Sequence, residues 1–318
     1  MNKIVFFALG CILLGAGCTS QTSTATTTSS SPTTSTAQDS ALAVKDVPQE
    51  GPYSHEIRTA SSVDGLTWTS DSDTPIAKHA SVPAILTTSD GKINIYYVDA
   101  TNGPEALGCL QSVDNGASYQ TMSCGITGAK TERHVDFSIV QLTDGRYRLY
   151  YYSVEGRIDE TSQHIVSSAI STDGWNFVEE GAAFTYMGLV DPDVFYNGSQ
   201  WVMHVMSLSE GTVVATSTDG TTFTYKDILS LDRIGVAKPV TLADGTMRMY
   251  GFKQGVQAAF YSYTSTDGFT WTQEPGTRFS APSGYEITDP SVTQLTDGTW
   301  KMVYKINAKK DRDAMKDK

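Results

Sequence analysis

Positive charge is scarce in this sequence: 23 Lys and Arg stand against 35 Asp and Glu, a net charge of −12 over 318 residues. Removing Lys3 with a cleaved leader takes −12 to −13. Such a chain repels a phosphate backbone, so nucleic acid is not an expected partner. The body also lacks a His-x-x-x-His pair, a Cys-rich metal spacing, a phosphate-binding glycine loop and a nucleophile elbow. No sustained apolar stripe of helical period occurs in it, which argues against a helical fold. Cysteine is sparse, with four in the chain and two, Cys109 and Cys124, in the body.

The longest apolar run, "IVFFALGCILLGAG", follows a short positive start at Lys3 and is too short to span a bilayer comfortably. It reads as a secretory leader, residues 1–17. Cys18 after "LLGAG" resembles the lipidated cysteine of a bacterial lipobox, which implies a cell-envelope lipoprotein anchored through Cys18, with plain secretion as the alternative. Residues 18–48 are dominated by Ser, Thr, Ala, Gln and Pro and read as a disordered tether. The folded body is expected over 49–307, followed by a charged, solvated tail, 308–318. Cys109 and Cys124 bracket a turn almost symmetrically, so an antiparallel hairpin sets them opposite each other. In an exported protein they are expected to form a disulfide, contributing about 3 kcal/mol in the chain-entropy model.

What the chain has in abundance is one turn. "SVDGLTW" at Ser62, "SVDNGASY" at Ser112, "STDGWNF" at Ser171, "STDGTTF" at Ser217 and "STDGFTW" at Ser265 recur at steps of 46 to 59 residues. Between them run "VPAILTTSDGKINIYYV", "VDFSIVQLTDGRYRLYYYS", "VDPDVFYNGSQWVMHVM", "AKPVTLADGTMRMYGF" and "TDPSVTQLTDGTWKMVYKI". Each is a pair of strand-like runs joined by Asp-Gly or Asn-Gly, a strong hairpin signal. An inner hairpin followed by an outer one makes a four-stranded antiparallel blade, so the fold class is all-β, a five-bladed β-propeller. Because the chain starts on an outer hairpin and ends on an inner one, the N-terminal outer strands are expected to pair with the C-terminal inner strands and close the ring. In the repeated turn, Ser and Asp bond the local backbone, Gly supplies a positive φ, and the aromatic packs between blades. These residues are scaffold. The runs at Tyr96–Tyr97 and Tyr150–Tyr152 read as core.

"SVDNGASY" resembles the Asp-box of sialidases and related propellers; the other four copies are one residue shorter. "VDPDVF" and "TDPSVTQLTDG" resemble the Asp-Pro strand starts of the five-bladed glycoside hydrolases, family 43 (arabinanases and β-xylosidases) with its invertase-like relatives. The resemblance covers nearly all of the body as a blade pattern and a few residues per blade as identity. It implies a carbohydrate site on the channel face where the inner strands begin. Family 43 would place an Asp at the first inner strand, another at the third, and an acid from Glu-Gly-Pro at the fourth. Here Asp191 stands at the third, while Val82 and Ala237 occupy the other two. A sialidase would have six blades and three clustered arginines; Arg133 and Arg233 alone lie near the mouth, so that activity is not expected.

Aligning the inner strands on their turns puts Val82, Asp136, Asp191, Lys238 and Asp289 at one equivalent position around the axis. Just upstream stand His79, Glu132, Arg133, His134, Arg233 and Glu286. A glycosidase needs one protonated and one ionised carboxyl across the scissile bond. Asp136, Asp191, Asp289 and Glu286 are therefore the candidate catalytic residues, with Lys238, Arg133, His134, His79, Arg233 and Glu132 as substrate contacts. No metal or other cofactor is expected; calcium held by Asp136, Asp191 and Asp289 is the alternative. The expected function is an exported, lipid-anchored, glycosidase-like monomer with a saccharide ligand. The alternatives are a non-catalytic glycan- or protein-binding propeller and a structural surface protein.

Overall fold

Every expected inner hairpin forms, and every one is followed by outer strands. The computed structural model describes residues 51–131, 133–153, 158–231, 234–253 and 257–309, within a compact unit spanning Asp46–Lys318. Five antiparallel sheets follow one another along the chain. Blade I runs Ala80–Thr87, Ile93–Asp99, Ala106–Ser112, Gln120–Thr121; blade II runs His134–Gln141, Tyr147–Ser153, Gln163–Ser171, Asn176–Met187. Blade III runs Leu189–Tyr196, Trp201–Ser207, Gly211–Ser217, Thr224–Ile228. In blade IV the inner strand is broken into Ile234–Val236 and Val240–Thr241, ahead of Met247–Lys253, Ala259–Ser265 and Thr272–Gln273. Blade V joins both ends of the chain: Tyr285–Gln294 and Trp300–Ala308 are its inner strands, and Glu56–Ser62 and Thr69–Ser70 its outer ones.

The closure is a continuous ladder from Glu56 opposite Ile306 to Ser62 opposite Trp300. The last strand reaches Ala308, one residue past the expected end of the body. Blade II adds an unexpected fifth strand, Gly125–Thr127, lying parallel to Asn176–Val178. The leader, Cys18, the tether and residues 310–318 of the tail lie outside the described residues. Cys109 and Cys124 form the disulfide, their Cα atoms 6.3 Å apart.

The core is divided among the joints between blades. One apolar cluster fills each joint: Tyr96 with Phe137 and Phe177 between I and II, Tyr150 with Phe223 between II and III, Val214 with Met249 between III and IV, Tyr250 with Trp300 between IV and V, Val303 with Ile85 between V and I. Tyr96, Tyr150 and Tyr151 are fully buried, as the sequence pattern requires.

The repeated turn clamps these joints. In all five copies the Ser hydroxyl donates to Asp Oδ1, at 2.7 to 2.9 Å, and accepts the Gly N–H. Glycine is required there because φ is left-handed and a Cβ on Gly220 would lie 3.0 Å from Trp201 and Arg148. The Gly carbonyl then receives a donor from the preceding blade. Tyr96, Tyr150 and Tyr250 hydroxyls bond Gly174, Gly220 and Gly65 carbonyls at 2.9, 2.6 and 2.7 Å, and His204 Nε2 bonds Gly268 at 3.3 Å. The turn's aromatic packs on the same donor, as Trp68 does on Tyr250 with ring centroids 5.7 Å apart. At the equivalent register in blade V stands Val303, and it faces the one longer turn, Ser112–Tyr119. That joint uses an Asn115 to Asp297 side-chain bond of 3.2 Å instead.

Candidate functional site

Alternation along a β-strand cannot by itself aim a side chain down a narrow axis, and the inner strands solve this with a repeated bulge. The register slips between Ser81 and Ala84, opposite Tyr150 to Tyr152, between Val190 and Pro192, and between Thr288 and Ser291. At each slip sits a residue in the left-handed region: Val82 at φ 42, Asp136 at 58, Asp191 at 50 and Asp289 at 51. A non-glycine residue there costs about 1–3 kcal/mol, and such strain clusters at functional sites. The bulges bring four of the five aligned positions to the axis. Lys238 is the exception, because blade IV's strand is broken between Val236 and Val240 and carries no bulge at that residue.

Two of these residues bond across blades, and a third is ion-paired within its own. The Asp191 N–H donates to Asp136 Oδ2 at 3.3 Å. Asp289 Oδ2 lies 2.5 Å from Lys305 Nζ, with both side chains largely buried, and also accepts the Thr288 hydroxyl at 3.0 Å. Burial, then the negative charge of Asp289, pushes Asp136 up to about 6. Burial, then Asp136 and Asp289, pushes Asp191 well above the usual carboxylate range. Burial opposes the charge on Lys305, yet Asp289, Asp191 and Asp136 together raise it. Lys305 is thus the cationic hub of the carboxylate ring.

Lys238, aligned with this ring in the sequence and expected there as a substrate contact, has its ammonium engaged within the protein. Lys238 Nζ of blade IV donates to the Ile139 carbonyl of blade II at 2.7 Å, and burial pulls its ammonium down to about 8. Its electrostatic partner is a residue sequence reasoning passed over, Asp193. Burial pushes Asp193 up to about 7, while the ammonium and backbone N–H of Lys238 pull against the rise. The available signal for Asp193 was a second acid two residues after Asp191 in an otherwise apolar strand. Lys305 carried no such mark, since a lysine in the strand "WKMVYKI" reads as one solvated face.

A cavity of about 30 Å³ opens between the bulges, lined by Asp191, Asp193, Asp289, Val82 and Ala237. Val82 and Ala237 are the two residues that stand where family 43 would have carboxyls. Among the described residues no group of three or more His, Cys, Asp or Glu is arranged to hold a metal ion. The calcium alternative also meets a competitor in Lys305, whose ammonium already holds Asp289.

The upstream candidates divide. Arg133 grips the buried Glu105 in a two-point ion pair, Nε to Oε2 at 2.5 Å and Nη2 to Oε1 at 2.8 Å, and its charge acts on Asp136. His134 is buried edge-on against Tyr151, 5.1 Å between centroids, and burial lowers its pKa. It packs in the blade I–II joint as a wall residue. His79 is exposed, its Nδ1 2.5 Å from the Tyr53 carbonyl oxygen. Glu286 is half-buried opposite Asn307, outside the lining of the cavity. Glu132 and Arg233 lie outside the described residues.

No protein-family model matches the sequence, and no curated protein does. Solved structures do match. A family-43 glycoside hydrolase from Xanthomonas citri superposes with a TM-score of 0.56 at 13% identity, over 74% of this chain and 90% of that one. An endo-arabinase from Bacteroides thetaiotaomicron gives 0.53 at 14% identity, over 73% and 95%. A thermostable family-43 glycoside hydrolase gives 0.54 at 12% identity, over 72% and 88%. At these identities what is shared is the architecture: this chain has the five-bladed propeller fold of the family-43 glycoside hydrolases.

Proposed function

We propose that this protein is a carbohydrate-active propeller that hydrolyses a glycosidic bond at the channel mouth, and that it is displayed outside the cytoplasm on a lipid at Cys18. One observation carries the reading: Asp191 and Asp193, which burial favours as neutral acids, and Asp289, ion-paired to Lys305, line the same cavity. Glycoside hydrolysis needs one protonated carboxyl and a second carboxyl across the bond, and burial at Asp191 favours the first role. Asp191 would give its proton to the departing glycosidic oxygen. Water would add to the anomeric carbon and pass a proton to Asp289. Asp136 would tune Asp191 through the bond between them, and Arg133 would hold the rim. The solved neighbours being glycoside hydrolases supports the substrate class.

A second reading, saccharide binding without turnover, is favoured by Val82 and Ala237 at two positions where family 43 would have carboxyls. The experiment that separates the two is hydrolysis of aryl glycosides and of plant and bacterial polysaccharides by the wild type beside Asp191→Asn. Turnover lost in the variant supports hydrolysis. No turnover on any substrate, with saccharide binding lost in the variant, supports the binding reading; neither turnover nor binding rejects both.

A further inference from the structure

Blade II contains a second polar cavity that the channel does not explain. In its outer ladder, Gln163–Ser171 against Asn176–Met187, the register shifts twice, between Val166 and Ser167 and between Ser168 and Ala169. The equivalent ladder of blade III shifts once. Gly181 sits in the break at φ 116, and a Cβ added to it would meet nothing within 4 Å. About 80 Å³ opens beside these strands, more than the channel mouth holds. Lys130, Gln163, His164, Ser167 and Glu179 line it.

Polar atoms without partners gather around this space. Among the described residues, His134 Nε2, Tyr151 Oη, His164 Nε2 and Glu179 Oε2 are buried with no hydrogen-bond partner. His164 is 2% exposed, with its other ring nitrogen 2.7 Å from the Leu189 carbonyl oxygen. The Tyr151 phenol is pushed up by burial and then by the adjacent Glu179 carboxylate, and His134 packs on its ring. Folded proteins pair nearly all their buried polar groups. Two of these atoms, His164 Nε2 and Glu179 Oε2, belong to residues that line the cavity, while Tyr151 stands behind Glu179 and His134 packs on Tyr151; the lining pair is a preformed demand for a donor and an acceptor.

We propose that this cavity binds a small neutral polyhydroxylated molecule, of the size of glycerol or of one edge of a sugar ring. Hydroxyl groups both donate and accept, which matches a wall offering the Lys130 ammonium, the Gln163 amide and the Ser167 hydroxyl beside the Glu179 carboxylate, with the Tyr151 phenol behind it. The ligand is neutral because the wall holds both charge signs: an anion would meet Glu179 and a cation Lys130. The volume, between two and three waters at about 30 Å³ each, sets its size. The site is separate from the proposed channel chemistry and does not depend on it.

Saturation-transfer NMR on the full chain, with glycerol, xylose and arabinose as probes, tests this on the wild type, Tyr151→Phe, Glu179→Gln and Asp191→Asn, with Tm measured for each. We expect at least one probe to bind the wild type saturably. Tyr151→Phe and Glu179→Gln should each weaken that binding about tenfold, and Asp191→Asn should leave it intact. The Tm of each variant separates lost binding from lost folding. Glycerol binding alone assigns the pocket to small polyols; pentose binding assigns it to a sugar edge. No binding by any probe, or binding lost in Asp191→Asn, overturns the proposal. So does binding kept in Glu179→Gln or in Tyr151→Phe.

Discussion

Asp173 and Asp191 are eighteen residues apart in sequence and opposite in electrostatics. Asp173 caps a turn at the edge of blade II: burial pushes it up, but the Asn176 N–H and side chain, the Trp175 N–H and the Ser171 hydroxyl outweigh that and hold it well below the usual range. The other turn aspartates share its fate. Backbone N–H groups of Thr67 and Thr221 chiefly lower Asp64 and Asp219, and the Ser118 hydroxyl chiefly brings Asp114 down to about 2. At the axis, Asp136, Asp191 and Asp193 are all raised, chiefly by burial, with few donors to offset it. The same carboxyl stabilises the ring where the backbone supplies N–H groups and strains it where bulges turn it toward other carboxyls. That contrast separates scaffold from site more sharply than residue type does.

Removing the cation at the axis should disturb the molecule most. Lys305→Met leaves Asp289 buried without its ion pair, at a cost of about 3–5 kcal/mol, measured by urea unfolding at pH 7. An unchanged midpoint would mean the carboxylates do not need Lys305.

The pH dependence comes next, and the two sets of aspartates bend it in opposite directions. A carboxyl raised in the folded state keeps a proton the unfolded chain has released, so its contribution is complete below about pH 4 and is lost as pH rises through the folded value. Asp136 alone, raised to about 6, should lower the unfolding free energy by about 2 kcal/mol between pH 4 and 7, and Asp193→Asn should flatten the part that extends to about 7. The turn aspartates work the other way: their stabilisation is present above about pH 4 and fades as pH falls through their lowered values. Denaturation across pH 3 to 8 reads both limbs, and a profile flat from 4 to 7 would contradict the axial assignment.

Smaller effects belong to the rim. Tyr150→Phe leaves the Gly220 carbonyl without its buried donor and should cost about 1–3 kcal/mol, read as a lowered urea midpoint. Val303→Ala, at the equivalent place in the joint built without such a bond, should leave that joint's Asn115 to Asp297 contact intact and cost through lost packing instead. Ser171→Ala should cost about 1 kcal/mol, with activity unchanged, since its bonds end within its own turn.

The blade pattern was legible because hairpins announce themselves locally: Asp-Gly between alternating runs fixes turn, register and partner within twenty residues. Ring closure was legible by counting hairpins. The site was legible where one signature repeats, so Asp136, Asp191 and Asp289 could be aligned before their shared φ was known. It failed where a contact depends on a strand break or a register slip. Lys238 shares the X-Pro pattern but not the bulge, so alignment on proline placed it in the ring while its strand breaks around it. Lys305 reaches Asp289 across a register slip that no local pattern records. The orphaned polar wall in blade II likewise depends on two bulges invisible in "QHIVSSAIS" and "NFVEEGAAFTYM".

Blade V is assembled from residues 56–70 and 285–308, the two ends of the described chain. A polypeptide emerging from a narrow pore N-terminus first would therefore present its opening outer hairpin without the inner strand that completes its sheet until nearly everything behind it had followed. Blades I to IV can zip as they appear, each on local hairpins, but the joints on either side of blade V must wait for the final strand. Folding of this ring is thus timed by the arrival of its C-terminus, and a chain truncated by twenty residues would lose the closure of the circle rather than one peripheral strand.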